Sequence, residues 1–230
     1  MNNMRICGGV LTLDDKQRFD FMCEKLYTAV VCDSLDELGY RNQAMRENIN
    51  PIREDWVIAG RAKTILAVDV HHMPENPYDK EIEAVDSIRP DEIVVGCTNE
   101  SKQNGFWGEL LSTAAKMRGA RGTVVDGLIR DTKKILELGF PVFATGTKPV
   151  DSRGRGLVID YDCPVVCGGV RVNPGDVIFA DRDGVVVIPQ EVFERVFEMA
   201  VDKVTRENYT RKELLEGKLL REVYDKYGVL

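Results

Sequence analysis

The sequence predicts an α/β fold, and three observations predict it. Between Glu92 and Ala144 short apolar runs alternate with helical patterns in the order β-α-β-α-β. That order argues for a partly parallel sheet with helices packed on it. From Leu157 to Ile188 several short β-rich runs follow one another, separated by turn signals at Cys167-Gly168-Gly169, Pro174-Gly175-Asp176 and Asp183-Gly184. Their spacing suggests a small sandwich or barrel. Both ends of the chain read as helical, and no linker, repeat or low-complexity tract divides it. One domain over residues 1–189 is therefore expected, in which the two parts share a core. Residues 190–230 form a helical extension, packed on the domain or on a neighbouring subunit.

Each element has its own local reason. Phe19, Met22, Cys23, Leu26 and Val30 recur at helical spacing, so residues 16–40 read as helix, with a stop at Leu38-Gly39. Ala62–Val70 is a strand, after which His71, His72 and Pro74 open a loop. Glu81–Ile88 can form a short helix before Pro90, and Glu92–Val95 a short buried strand. Gly108–Arg118 is helical, with Leu110, Leu111, Ala114, Ala115 and Arg118 along one side and Gly119 as its stop. Thr123–Val125 is a strand and Asp126-Gly127 a turn. Thr132–Leu138 is a helix stopped by Gly139, and Pro141–Ala144 a further strand. The β-rich runs are Leu157–Ile159, Pro164–Cys167, Val170–Val172, Val177–Ala180 and Val185–Ile188.

Composition narrows the function classes. The chain has 230 residues, 43% hydrophobic and 30% charged, with a net charge of −7. Such a balance is unsuited to a general nucleic-acid binder, which needs a basic stripe to neutralise phosphates. No apolar run approaches the roughly 18–20 residues of a membrane span. The N-terminal residues lack an apolar core of signal-peptide length, so the expected location is cytoplasmic. Six scattered cysteines without an export signal read as reduced thiols in core positions. Cys163 and Cys167 lack a second Cys/His pair at zinc-site spacing.

The chemistry concentrates between Asn104 and Asp131, NGFWGELLSTAAKMRGARGTVVDGLIRD. Gly105 and Gly108 precede a helix whose first backbone N–H groups, at Leu110 and Leu111, are free to bind an anion. Glu109 sits in the first turn, where the macrodipole favours a carboxylate. The strand Thr123–Val125 leads to Arg130 and Asp131 at the start of the next helix. Ligands of open α/β sheets gather outside the carboxyl ends of the strands, so Glu109, Arg130 and Asp131 can converge. Asp131 and Glu109 are hard oxygen donors suited to Mg²⁺ or Mn²⁺. Arg130 can hold a carboxylate bidentately or stabilise a developing enolate oxygen. The competing reading makes Asp131 a helix N-cap and Arg130 a surface ion-pair partner.

A resemblance adds to this reading. The blocks Thr28–Gly39 (TAVVCDSLDELG), Gly60–Thr64 (GRAKT), Gly108–Ala115 (GELLSTAA), Gly122–Asp131 (GTVVDGLIRD) and Gly168–Pro189 (GGVRVNPGDVIFADRDGVVVIP) resemble the RraA-like family. That family includes 4-hydroxy-4-methyl-2-oxoglutarate/4-carboxy-4-hydroxy-2-oxoadipate aldolases and regulators of ribonuclease E activity. The resemblance implies an α/β/β sandwich of the swivelling-domain kind, assembled as homotrimers or homohexamers with sites at subunit interfaces. Its aldolase members carry an Asp, twenty intervening residues, then Arg-Asp. Here the pair is Arg130-Asp131, and the first position holds Glu109 in place of Asp. The resemblance assigns Asp131 to the divalent metal and Glu109 to metal support through water. It assigns Arg130 to the 2-oxo acid; by the helix-start reading above, Gly108 and the amides of Leu110 and Leu111 are expected to bind the other end of the acid. The activity implied is retro-aldol cleavage of a small 4-hydroxy-2-oxo acid with release of pyruvate, or decarboxylation of oxaloacetate through the same enolate. A water oriented by Glu109 takes the 4-hydroxyl proton in that scheme. Regulatory members tend to lack the Arg-Asp pair, so an intact pair favours catalysis over a protein-binding role.

Other signals carry less. His71 and His72, adjacent on an extended segment, point to opposite faces and do not form a two-His metal site. Gly154 and Gly156 are not followed by a helical pattern, which removes a dinucleotide fingerprint, and no Walker-type loop exists. Asp176, Asp181 and Asp183 read as turn residues. Asp33 and Asp36 read as a solvated helix face. Trp107 suits either a pocket wall or the core.

Overall fold

The computed structural model describes residues 13–229; Cys7 lies outside them. The chain runs α1 (Asp15–Lys25), α2 (Thr28–Glu37), β1 (Asn50–Pro51), β2 (Ile58–Asp69), α3 (Asp79–Asp86), β3 (Glu92–Cys97), β4 (Gly105–Trp107), α4 (Glu109–Met117), β5 (Gly122–Ile129), α5 (Thr132–Leu138) and β6 (Val142–Thr147). It continues through β7 (Gly156–Tyr161), β8 (Val165–Cys167), β9 (Val170–Val172), β10 (Val177–Asp181), β11 (Gly184–Ile188), a 3₁₀ turn at Gln190–Val192, α6 (Phe193–Leu215) and α7 (Leu220–Tyr227).

The fold is mixed α/β with a helical C-terminal segment. A nine-stranded sheet has the order β1-β6-β5-β3-β2-β10-β11, with β4 paired to β5 and β7 to β2. Strands β2, β3, β5 and β6 run parallel, as the alternation of strands and helices requires. The β-rich second half does not build a sheet of its own. Strands β7 and β10 both pair antiparallel with β2, β10 along Ile58–Arg61 and β7 along Ile65–Asp69. Among the described residues only β8 and β9 form a separate two-stranded hairpin. The 12-residue β2 is long enough to serve both partners.

Two apolar cores cover the two faces of the sheet. Along β10, Ile178 and Ala180 enter one core with Val94, Val124 and Phe143. Val177 and Phe179 enter the other with Phe19, Val30, Leu35, Phe193 and Phe197. The period-2 alternation of a strand therefore feeds both layers, and its residues are apolar on both faces.

The single helix expected over residues 16–40 is two. Leu26 is extended (φ −104°, ψ 168°), which turns the chain after α1. Asp14 and Gln17 form a capping box at the start of α1. No side chain of its own segment caps α2. Instead Asp181, at the end of β10, accepts from both the N–H and the hydroxyl of Thr28, at 2.8 and 2.7 Å. The expected turn at Asp126-Gly127 is also corrected, since β5 continues through it to Ile129. The buried Asp126 carboxylate accepts from the Thr98 N–H and hydroxyl at 2.6 and 2.8 Å, and the β5–β6 register shifts between Val125 and Leu128. The polar pair is thus absorbed in the sheet as an irregularity. In the C-terminal segment, Phe193, Val196, Phe197, Ala200 and Val204 of α6 pack into the α1–α2 core.

Candidate functional site

The site forms where β4 and β5 end side by side. The Arg130 N–H donates to the Trp107 carbonyl at 2.8 Å, which ties the two strand ends together. Each strand then enters a helix, α4 after Gly108 and α5 after Asp131. Trp107 is fully buried and its indole N–H donates to Ser112 Oγ at 2.8 Å, so it belongs to the core.

Asp131 takes a left-handed conformation (φ 60°, ψ 29°) and its side chain caps nothing in α5. Its Oδ2 instead accepts from the Glu109 N–H, the first of α4, at 3.3 Å. The simple N-cap reading is thereby excluded: the carboxylate is turned across the gap toward the other helix. The N–H groups of Leu110 and Leu111 precede the first intrahelical bond of α4, from Ser112 to Gly108. Gly108 has a steric reason to be glycine. A Cβ there would lie 2.9 Å from Asp131 Oδ2, and 3.3 and 3.4 Å from Arg130 Cγ and Nε.

A cavity of about 340 Å³ opens beside these groups. Gly108, Leu110, Leu111, Arg130 and Asp131 line it together with Phe106. On its far side stand Tyr78, Glu81, Asp151 and Ser152. Arg130 is held from that side: its Nη2 lies 3.3 Å from Asp151 Oδ2, while its Nε is 3.9 Å from Asp131 Oδ2. The Tyr78 hydroxyl donates to the same Asp151 oxygen at 3.2 Å. Hydrogen bonds from the Arg153 N–H and Tyr78, with the nearby Arg130 charge, lower the Asp151 pKa against its desolvation. Burial pushes the Glu81 carboxyl up to about 7, assisted by the Asp151 charge and opposed by Arg130.

Of the residues singled out in the sequence, the structure brings Gly108, Leu110, Leu111, Arg130 and Asp131 to one cavity. Glu109 contributes its N–H there, but its carboxylate accepts from Thr113 Oγ1 at 2.9 Å and is not part of the lining. Leu110 does not join the apolar side of α4; it is 77% exposed at the cavity mouth. His71 and His72 are exposed in the loop after β2. Asp176 accepts from the Asn173 and Gln190 N–H groups, and Asp33 pairs with Lys203. Tyr78, Glu81 and Asp151 were not singled out. The signal available for Asp151 was its place just after β6, another parallel strand whose carboxyl end faces the same way.

Among the described residues no group of three or more His, Cys, Asp or Glu could hold a metal ion alone. The donor set fits a hard cation that takes one carboxylate and fills its other positions with water and ligand oxygens, as Mg²⁺ does. It does not fit a structural zinc centre. Among the described residues no helix is long and apolar enough to cross a membrane.

Comparison with known proteins identifies the family and the fold. Protein DlpA of Legionella pneumophila is 28% identical over 200 residues, 87% of this chain; the chain spans only 32% of DlpA. A protein of Halalkalibacterium halodurans named "Putative 4-hydroxy-4-methyl-2-oxoglutarate aldolase" is 31% identical over 176 residues, 76% of this chain and 79% of that one. The crystal structure of Streptomyces coelicolor RraAS2, described as an unusual member of the RNase ES inhibitor RraA protein family, superposes with a TM-score of 0.76 at 29% identity. It covers 86% of this chain and 97% of that chain. The RraA-like model, described as Aldolase/RraA, matches residues 28–187. These residues include every strand from β1 to β10 and both helix starts at the cavity, and the chain belongs to the RraA-like family.

Proposed function

We propose that the chain is a divalent-metal-dependent lyase. It cleaves a small 4-hydroxy-2-oxo acid by retro-aldol reaction, releasing pyruvate, and decarboxylates oxaloacetate at the same site. The observation that carries this reading is the pairing of Arg130 and Asp131 on one cavity, with Asp131 uncommitted to its own helix.

Asp131 would hold Mg²⁺ or Mn²⁺, with Glu109 supporting it through water from the adjoining helix turn. Bound there, the cation supplies Lewis-acid polarisation of the keto oxygen. The N–H groups of Leu110 and Leu111 bind the substrate carboxylate at the positive end of α4. Arg130 offsets the negative charge that develops on the 2-oxygen as the carbon–carbon bond breaks. Asp151 and Tyr78 fix the Arg130 guanidinium, so that it does not reorganise during the reaction. Phe106 and Leu111 give the cavity an apolar wall that strengthens these charge interactions.

The assembly proposed is a homotrimer or homohexamer with sites at subunit interfaces. Its support is the apolar part of the cavity lining that faces outward, where Ile82 and Leu110 are 53% and 77% exposed. A cytoplasmic location with neither nucleic-acid nor membrane partners accords with the net charge of −7.

A pyruvate-coupled assay on oxaloacetate and on 4-hydroxy-2-oxo acids tests the reading. Pyruvate release is expected to stop with EDTA and return with Mg²⁺. Arg130→Ala is expected to lower it by about 10²–10³-fold. A metal-loaded protein that releases no pyruvate from any of these acids overturns it. The second reading, a non-catalytic regulator that binds a ribonuclease, is favoured by the similarity to RraAS2. Capture of a ribonuclease by the inactive protein, undiminished in Asp131→Ala, is the result that reading requires.

A further inference from the structure

Glu81 is the buried charge that the reaction outlined above leaves without a task. It lies in the first turn of α3 and is only 7% exposed, yet it lines the cavity opposite α4. Among the described residues no hydrogen bond supports its carboxylate; the charges that act on it are those of Asp151 and Arg130. A carboxyl group nine-tenths buried and without a partner is costly in a fold and is seldom kept without use. Every other carboxylate of the site is committed. Asp131 accepts from Glu109, Asp151 holds Arg130 and Tyr78, and the Glu109 carboxylate accepts from Thr113.

We propose that Glu81, rather than a water held by Glu109, is the group that moves the substrate proton in this cavity. The proposal rests on the lyase reading. In the cleavage, the Glu81 carboxylate takes the 4-hydroxyl proton. The O–H electron pair becomes the new carbonyl bond, and the C3–C4 bond breaks with its pair passing into the enolate of pyruvate. After the carbonyl product leaves, the protonated Glu81 returns the same proton to C3, giving the pyruvate methyl group. One proton is carried from oxygen to carbon, and no oxidant or co-reactant is needed.

The environment suits a group that must do both. A carboxyl that titrates near neutrality accepts and returns a proton with similar ease. Its surroundings account for that. Desolvation and Asp151 push it up and Arg130 opposes them, with a value of about 7. The other charges near α3 are engaged elsewhere: Lys116 of α4 donates to the Leu138 carbonyl, Arg118 to Asp86, and Asp160 of β7 accepts from the Tyr161 N–H.

Glu81→Gln, which keeps the shape and removes the proton acceptor, tests this in the full-length protein. The retro-aldol rate is expected to fall by about 10²–10⁴-fold. Decarboxylation of oxaloacetate, which has no hydroxyl proton to remove, is expected to fall at least tenfold less. Equal loss of both activities indicates a structural role and overturns the proposal, as does an undiminished retro-aldol rate. A second measurement needs neither metal nor substrate. In a ¹³C NMR titration of labelled glutamate carboxyls, the resonance absent from Glu81→Gln is expected to titrate near pH 7. Titration in the ordinary carboxylate range overturns the proposal. Wild-type protein that is inactive with Mg²⁺ while Glu81 titrates near neutrality overturns the lyase reading, and the proton-transfer role falls with it.

Discussion

At the scale of single residues, the site is recognisable by side chains that contribute little or nothing to their own helices. Asp131 occupies an N-cap position without capping, in a left-handed conformation that Asp tolerates better than most residues. Glu81 is the sharper case, because its burial acts on stability with a definite sign. Its pKa is raised in the fold from 4.5 to about 7. Below pH 4.5 the group is neutral in folded and unfolded chains and costs nothing extra. Between those values the folded chain binds more protons, so stability falls as pH rises, and the full penalty is present above pH 7. Glu81→Gln is therefore expected to raise Tm relative to wild type at pH 8 and to lose most of that advantage at pH 4.5. Thermal melts at the two pH values check this; an advantage independent of pH contradicts it.

At the scale of elements, the parallel strands aim their carboxyl ends at one place, and the helices that follow expose their first N–H groups there. Much of this was legible. The pattern from Gly108 to Arg118 and from Thr132 to Leu138 is helical within a residue at most boundaries, and Arg130-Asp131 sits where a strand meets a helix. What was not legible depends on contacts distant in sequence. The break at Leu26 carries no Pro or Gly, and α2 is capped by Asp181, 153 residues away. Asp126-Gly127 has turn chemistry, yet Thr98 satisfies the Asp126 carboxylate and the strand goes on. Tyr78, Glu81 and Asp151 reach the cavity from three segments without a motif, so only the fold assembles them. The distant cap is open to test. Asp181→Ala leaves the buried Thr28 N–H and hydroxyl without their acceptor, and is expected to cost about 3 kcal/mol, or roughly 6–12 °C in Tm. A change within 1 °C contradicts that role for Asp181.

At the scale of the whole molecule, the β-rich half is divided between the main sheet and a small hairpin, so the two halves seen in the sequence share cores on both faces. The cavity opens beside the ends of β4 and β5, and Ile82 and Leu110 in its lining are exposed. If these residues are covered by a neighbouring subunit, Leu110→Glu places a charge in that contact. Sedimentation velocity is then expected to show a trimer or hexamer for wild type and smaller species for the variant, with pyruvate release reduced alongside. A wild-type monomer with full activity contradicts the proposed assembly. The central claim, that Asp131 serves a cation and not the fold, is tested most directly by Asp131→Asn. This change keeps the left-handed backbone accessible and removes the charge. Mg²⁺-dependent pyruvate release is expected to fall by about 10³-fold, since the cation contributes several kcal/mol to the reaction, while Tm stays within a few degrees of wild type. Release at the wild-type rate from the Asn variant would contradict the claim.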